Sequence, residues 1–132
     1  RRFVVPSAPG KRDAKDTKVT DMLYGCYALA EAGKDFKAEL KAIKERYQGI
    51  IDGLKLDLSL EEEFKIVEKN FKEKAGKDYA ASRGEYLNGI IMANYLGYEF
   101  IDSATVIFFK ENGEFDSEKT NEVLSARLKD CK

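Results

Sequence analysis

A chain of 132 residues suits one domain or part of one, and 43% hydrophobic content is enough to build a core. Charged residues make up 36%, yet the signs nearly cancel at a net charge of −1, which argues against a nucleic-acid platform with its basic excess. No apolar run approaches a membrane span, and Phe3-Val4-Val5 between Arg1-Arg2 and Pro6 is too short for the core of a signal peptide. Histidine is absent, which removes Ser-His-Asp and Cys-His catalysis and histidine-ligated metals from this segment. Cys26 and Cys131 are too few and too far apart for a disulfide framework or zinc knot, so a reduced, cytoplasmic setting fits.

In chain order, residues 2–6 read as a buried strand and residues 7–18 as a polar loop. Val19, Met22, Leu23, Cys26, Tyr27 and Ala30 then form a helical stripe that stops at Gly33. A second helix carries Phe36, Leu40, Ile43, Tyr47, Ile50, Ile51 and Leu54. A third opens at Ser59-Leu60-Glu61-Glu62, which matches a capping box, and runs through Phe64, Val67 and Phe71 to the neighbourhood of Gly76. A fourth is predicted from Ala80 or Ser82 to Leu96, with Gly97 as its C-terminal cap. Tyr98–Ile101 and Ala104–Phe109 read as short strands, and Phe108-Phe109 as core at a strand end. Residues 111–114 read as a turn, and Asp116 or Ser117 caps a last helix through Val123, Leu124 and Leu128. Strands separated by long helical stretches imply an α/β fold: part of a three-layer α/β/α domain with a mostly parallel sheet and a large helical excursion. The sheet is small for a complete domain. That shortage, the strand at the very start and the helix running to the end lead to the expectation that the chain is part of a larger one.

Three constellations can carry chemistry. The first is the loop of Ser7, Ala8, Gly10 and Lys11 with Thr20, where small residues let the backbone approach a ligand and hydroxyl and N–H groups can hold an anion. Its other reading is an ordinary Pro/Gly connection. It has neither the GxxxxGK[ST] nor the GxGxxG spacing. The second is Ser82-Arg83-Gly84-Glu85. Ser82 and Glu85 have the spacing of a capping box, which explains both without a ligand. Gly84 is left over, because glycine costs about 1 kcal/mol inside a helix; it can admit a ligand or another backbone. Arg83 can hold a carboxylate or phosphate, or stand exposed. The third is Asp102-Ser103, a cation ligand or the cap of the next turn.

Together, the first two resemble the aspartokinases of the amino-acid kinase family. The matching blocks are Val4–Lys11, Lys18–Leu23, Ala81–Leu87, Met92–Tyr98 and Phe100–Asp102, in the family's order and separation. The resemblance implies transfer of the γ-phosphoryl of ATP to the side-chain carboxylate of L-aspartate, in lysine, threonine and methionine biosynthesis. Phosphoryl transfer works by positioning and charge stabilisation, so no protein nucleophile is required and no catalytic residue is assigned. By similarity, Ser7 and Thr20 hold the aspartate carboxylates, Ala8 and Gly10 belong to the same loop, and Glu85 faces the α-amino group. Lys11 and Arg83 are candidate neighbours only.

The Lys-Phe-Gly-Gly segment of the family, the nucleotide-binding half and the ACT domains have no counterpart here. Asn88 stands where the family often has serine, and Pro6 where valine is commoner. The resemblance therefore places ATP and Mg contacts outside these 132 residues, and the isolated chain is expected to be inactive. It allows a homo-oligomer and gives no reason for a membrane or nucleic-acid partner. Competing readings are a relative acting on glutamate, acetylglutamate or a nucleotide, and a non-catalytic helical interaction module.

Overall fold

The computed structural model describes residues 3–131. They contain five α-helices: α1 (Val19–Glu31), α2 (Lys37–Gly53), α3 (Glu61–Lys72), α4 (Lys77–Leu96) and α5 (Ser117–Lys129). A 3-10 turn at Ser103–Thr105 lies between α4 and α5. The chain divides into two compact units, one ending at Tyr98 and the other beginning at Glu99.

In the first unit the apolar residues recur at helical spacing, and the helices bury them against one another. α1 contributes Val19, Leu23, Cys26, Tyr27 and Ala30; α2 contributes Leu40, Ile43, Tyr47 and Ile51; α3 contributes Phe64, Val67 and Phe71; α4 contributes Ala80, Leu87 and Ile91. α1 packs against the other three, and α3 also meets α4. Phe71 is fully buried, with its ring centroid 5.3 Å from that of Tyr27, 6.1 Å from Phe36 and 6.3 Å from Tyr79. Burial pushes the Cys26 thiol up to about 12, with a smaller push from Glu39, so it behaves as an inert apolar side chain.

α1 ends as its sequence suggests. Gly33 takes φ 73°, and the Lys34 N–H reaches back to the Leu29 carbonyl at 2.9 Å. Gly97 closes α4 at φ 69° in the same way, with the Tyr98 N–H on the Ala93 carbonyl at 2.9 Å. α2 and α3 end in equivalent turns, but the left-handed residues are Lys55 and Lys74. The capping box expected at α3 does not form. The Ser59 hydroxyl accepts from the Glu61 N–H at 3.3 Å, while Glu62 pairs with Lys65.

The expected α/β architecture is overturned. No β-strand occurs among the described residues; an isolated antiparallel bridge joins Phe109 to Phe115. Of the strand expected at 2–6, Arg2 lies outside the described residues, and Phe3–Pro6 is irregular, with Val5 95% exposed. Apolar β-formers make a strand only when a neighbouring strand takes their backbone groups and a face covers their side chains. Tyr98–Ile101 is irregular for the same reason, and in Ala104–Phe109 the 3-10 turn replaces the strand. Phe109 is 67% exposed and therefore not core.

The second unit is organised by two aspartate caps. Asp102 accepts from the Ala104 N–H at 3.0 Å, which is the capping alternative for that residue. Asp116 caps α5 through the Lys119 N–H at 3.0 Å. The buried Thr120 hydroxyl accepts from the Phe108 N–H at 2.9 Å, and Arg127 pairs with Glu99.

The helical core carries the stability of the first unit. Phe71→Ala is expected to lower the unfolding free energy by about 3–5 kcal/mol, whereas Ile66→Ala on the exposed side of the same helix should change it by about 0.5 kcal/mol or less. Urea titration of both variants checks this.

Candidate functional site

Residues 7–18 precede α1 without regular secondary structure of their own, so neighbouring helices must hold their backbone. Each residue from Ser7 to Gly10 has one anchor. The Asn88 side-chain amide donates to the Ser7 carbonyl at 2.6 Å. Ala8 lies against Gly84, where a Cβ built on the glycine would fall 2.7 Å from the Ala8 Cβ. The Val19 N–H, first in α1, donates to the Pro9 carbonyl at 3.2 Å. The Arg46 guanidinium of α2 donates to the Gly10 carbonyl.

Arg46 is buried and its second anchor is Asp16, at 2.7 Å. Asp16 also accepts from Arg12, through Nε at 2.7 Å and the backbone N–H at 2.9 Å. This folds residues 12–16 into a closed turn. The Arg12 side chain first, and its N–H second, hold the Asp16 carboxyl well below the usual carboxylate range.

α4 begins at Lys77, not at Ala80 or Ser82, so Ser82 sits inside the helix and caps nothing. Its hydroxyl donates back to the Tyr79 carbonyl at 2.7 Å. The capping explanation of Glu85 therefore falls away, and Glu85 stands exposed on α4 beside Gly84. Tyr47 crosses from α2 and donates its hydroxyl to the Gly84 carbonyl at 2.8 Å. Burial raises the Tyr47 phenol well above its ordinary range, and the charge of Glu85 adds to the rise. Thr20 is half-buried in the first turn of α1. The N–H groups at such a helix start, beyond those already paired, are natural donors to an anion.

The fold thus brings Ser7 and Ala8 against residues 84–88 of α4, with Gly10 held from α2 and Thr20 at the end of the same loop. Arg83 is engaged elsewhere. Its guanidinium stacks on Tyr79 at 4.7 Å and Tyr86 at 4.4 Å and bonds the Ser82 hydroxyl at 3.0 Å. Arg46, Tyr47 and Asn88 were not among the sequence candidates. A signal for Arg46 exists: it shares the buried register of Ile43 and Tyr47, where a charge needs partners.

Two shallow clefts of about 350 and 280 Å³ lie apart from this loop, one lined by Ala30, Phe36 and Lys72, the other by Tyr47, Ile51 and Phe64. No three cysteine, aspartate or glutamate side chains gather to hold a metal among the described residues. No described helix is long and apolar enough to cross a membrane.

Aspartokinase 3 of Bacillus subtilis is 34% identical over 97% of this chain. Its match covers 29% of the relative's own length, so the chain spans under a third of it. The crystal structure of Clostridium acetobutylicum aspartate kinase, an allosteric enzyme, superposes with a TM-score of 0.93 at 46% identity. That likeness covers 99% of this chain and 30% of the other. No protein-family model matches the chain.

Two outcomes follow from the geometry. Gly84→Ala gains about 1 kcal/mol in helix propensity but drives a methyl into Ala8, so a net loss of about 1–2 kcal/mol is expected in urea unfolding. Adding Ala8→Gly to that variant should remove the clash and recover most of the loss. The second concerns acid. Asp16 has a folded value below its unfolded one, so its contribution is complete above the ordinary carboxylate value of about 3.9 and fades as pH falls through the folded value. The stability gap between the parent chain and Asp16→Asn should be constant from neutral pH down to about pH 5 and then shrink, as measured by urea titration at stepped pH.

Proposed function

Because the chain belongs to the aspartokinase family over the segment it spans, we propose that it builds the aspartate-facing wall of an aspartate kinase. The reaction is transfer of the γ-phosphoryl of ATP to the β-carboxylate of L-aspartate, giving 4-phospho-L-aspartate. In this reading Ser7 and Thr20 hold the substrate carboxylates with hydroxyl and backbone donors. Glu85 receives the α-ammonium, and Ala8 and Gly10 let the backbone come close. The segment supplies substrate positioning, and the chemistry needs no nucleophile from it.

The observation that carries this reading is the junction of two distant segments. Ala8 meets Gly84, and Asn88 holds the Ser7 carbonyl, which sets the small-residue loop beside a carboxylate that no cap requires. The described residues gather no carboxylate set for Mg, and the loop lacks the spacing that cradles a triphosphate. In this reading the ATP and Mg contacts belong to the remainder of the enzyme. A cytoplasmic setting accords with two free thiols.

The test uses this segment within a chain of its relatives' full length, assayed with aspartate, ATP and Mg. Thr20→Ala and Glu85→Gln are each expected to lower kcat/KM for aspartate roughly ten- to a hundredfold, the worth of a hydrogen bond to a charged group. The 132 residues alone should form no aspartyl phosphate. Undiminished turnover in both variants would sink the site assignment.

A further inference from the structure

We infer that Arg46 is a positioning residue for the amino-acid acceptor, acting through the Gly10 carbonyl. The inference rests on the substrate-loop reading above and extends it to a residue on α2, a helix that supplies no proposed substrate contact.

Ser7, Ala8 and Pro9 have anchors on α4 and α1. Gly10 is different, because a Cβ built there would meet nothing within 4 Å. Gly10 is also exposed, so no side-chain packing on that side holds it in place. The hydrogen bond from Arg46 does, at the point where the loop turns from the small-residue run into the charged stretch Lys11-Arg12-Asp13. A buried guanidinium is a poor choice for stability alone, since an apolar side chain of similar size often serves as well. What it provides is direction. The planar fork bonds two groups at fixed angles, here the Gly10 carbonyl and Asp16, six residues apart on one loop. Asp16 is itself fixed by Arg12, so the fork sets the loop's span between those two points.

Losing the fork should loosen the end of the loop at Gly10 and leave Ser7 and Ala8 held. The expected signature is selective. In the full-length kinase carrying this segment, Arg46→Met should raise KM for aspartate roughly tenfold or more while KM for ATP stays within about twofold, because misplacement weakens only the substrate the loop touches. Arg46→Lys, which keeps the charge and one bond, should recover part of the loss and covers the case in which the methionine variant does not fold. Asp16→Asn should shift the aspartate KM in the same direction by less.

A lower melting temperature with both KM values unchanged, or a parallel rise in both, would overturn the inference and leave Arg46 as structural. Thr20→Ala and Glu85→Gln in the same assay separate the two readings. If they raise the aspartate KM and the Arg46 variants do not, only this inference fails. If they have no effect, the substrate-loop reading fails and this inference with it.

Discussion

Irregular backbone keeps a shape only when something other than itself satisfies its polar groups. In the run from Ser7 to Gly10 three carbonyls are taken by helices, through Asn88 on α4, the first N–H of α1 and Arg46 on α2, while Ala8 packs against Gly84. The remainder of the site depends on it, because the loop's place decides what stands beside Thr20 and Glu85. It also links site and core. Tyr47 and Leu23, both fully buried, also reach Gly84, one bonding its carbonyl and the other 3.4 Å from where a Cβ would sit.

Gly84 shows how a residue unfavourable in isolation is required by its surroundings. Glycine weakens a helix interior, and this one lies well inside α4. Its missing side chain admits Ala8 and so lets a loop some eighty residues earlier in the chain touch the helix. By sequence alone this glycine is unexplained by helix formation and marks a place where a ligand or another backbone can come close. In the structure it is the loop that fills the space, and the substrate, in the proposed function, meets the loop and not the glycine.

The helices of the first unit were legible because their apolar residues repeat at a helical period and their ends carry ordinary signals. Val19 to Ala30 and Gly33 mark α1 in this way, and Gly97 marks the end of α4. The end of α3 was blurred, because Lys74 takes the left-handed φ there without being glycine and Gly76 stands as the first visible stop signal. The start of α4 was read late because Ser82 and Glu85 imitate a cap, whereas Gly76 and the buried Ala80 belong to the actual first turn. The strands were misread for a deeper reason. Phe3-Val4-Val5 and Tyr98–Ile101 have the side chains of strands, but strand formation depends on pairing partners, which local composition does not contain. Of the candidate site residues, those on the loop were read from its small-residue grammar, while Arg46 and Asn88 became visible only once the chain folded back on them.

The register of α4 also divides its residues by task. A helix turns about 100° per residue, so Gly84 and Asn88, four apart, lie on one stripe about 40° wide. That stripe faces the loop, as the Ala8 and Ser7 contacts require. Arg83 and Glu85 flank Gly84 in sequence and are about 200° apart around the axis. They cannot both address a ligand on the loop side. Arg83 is stacked between Tyr79 and Tyr86, and Tyr86 in turn donates its hydroxyl to Glu63 of α3 at 3.1 Å, so that flank belongs to helix packing. Glu85 lies on the flank nearer Asn88, and its charge is felt by Tyr47, whose hydroxyl bonds the backbone of Gly84. Of the two charged neighbours of Gly84, Glu85 is therefore the one on the Asn88 side of the helix, where the proposed function needs a carboxylate.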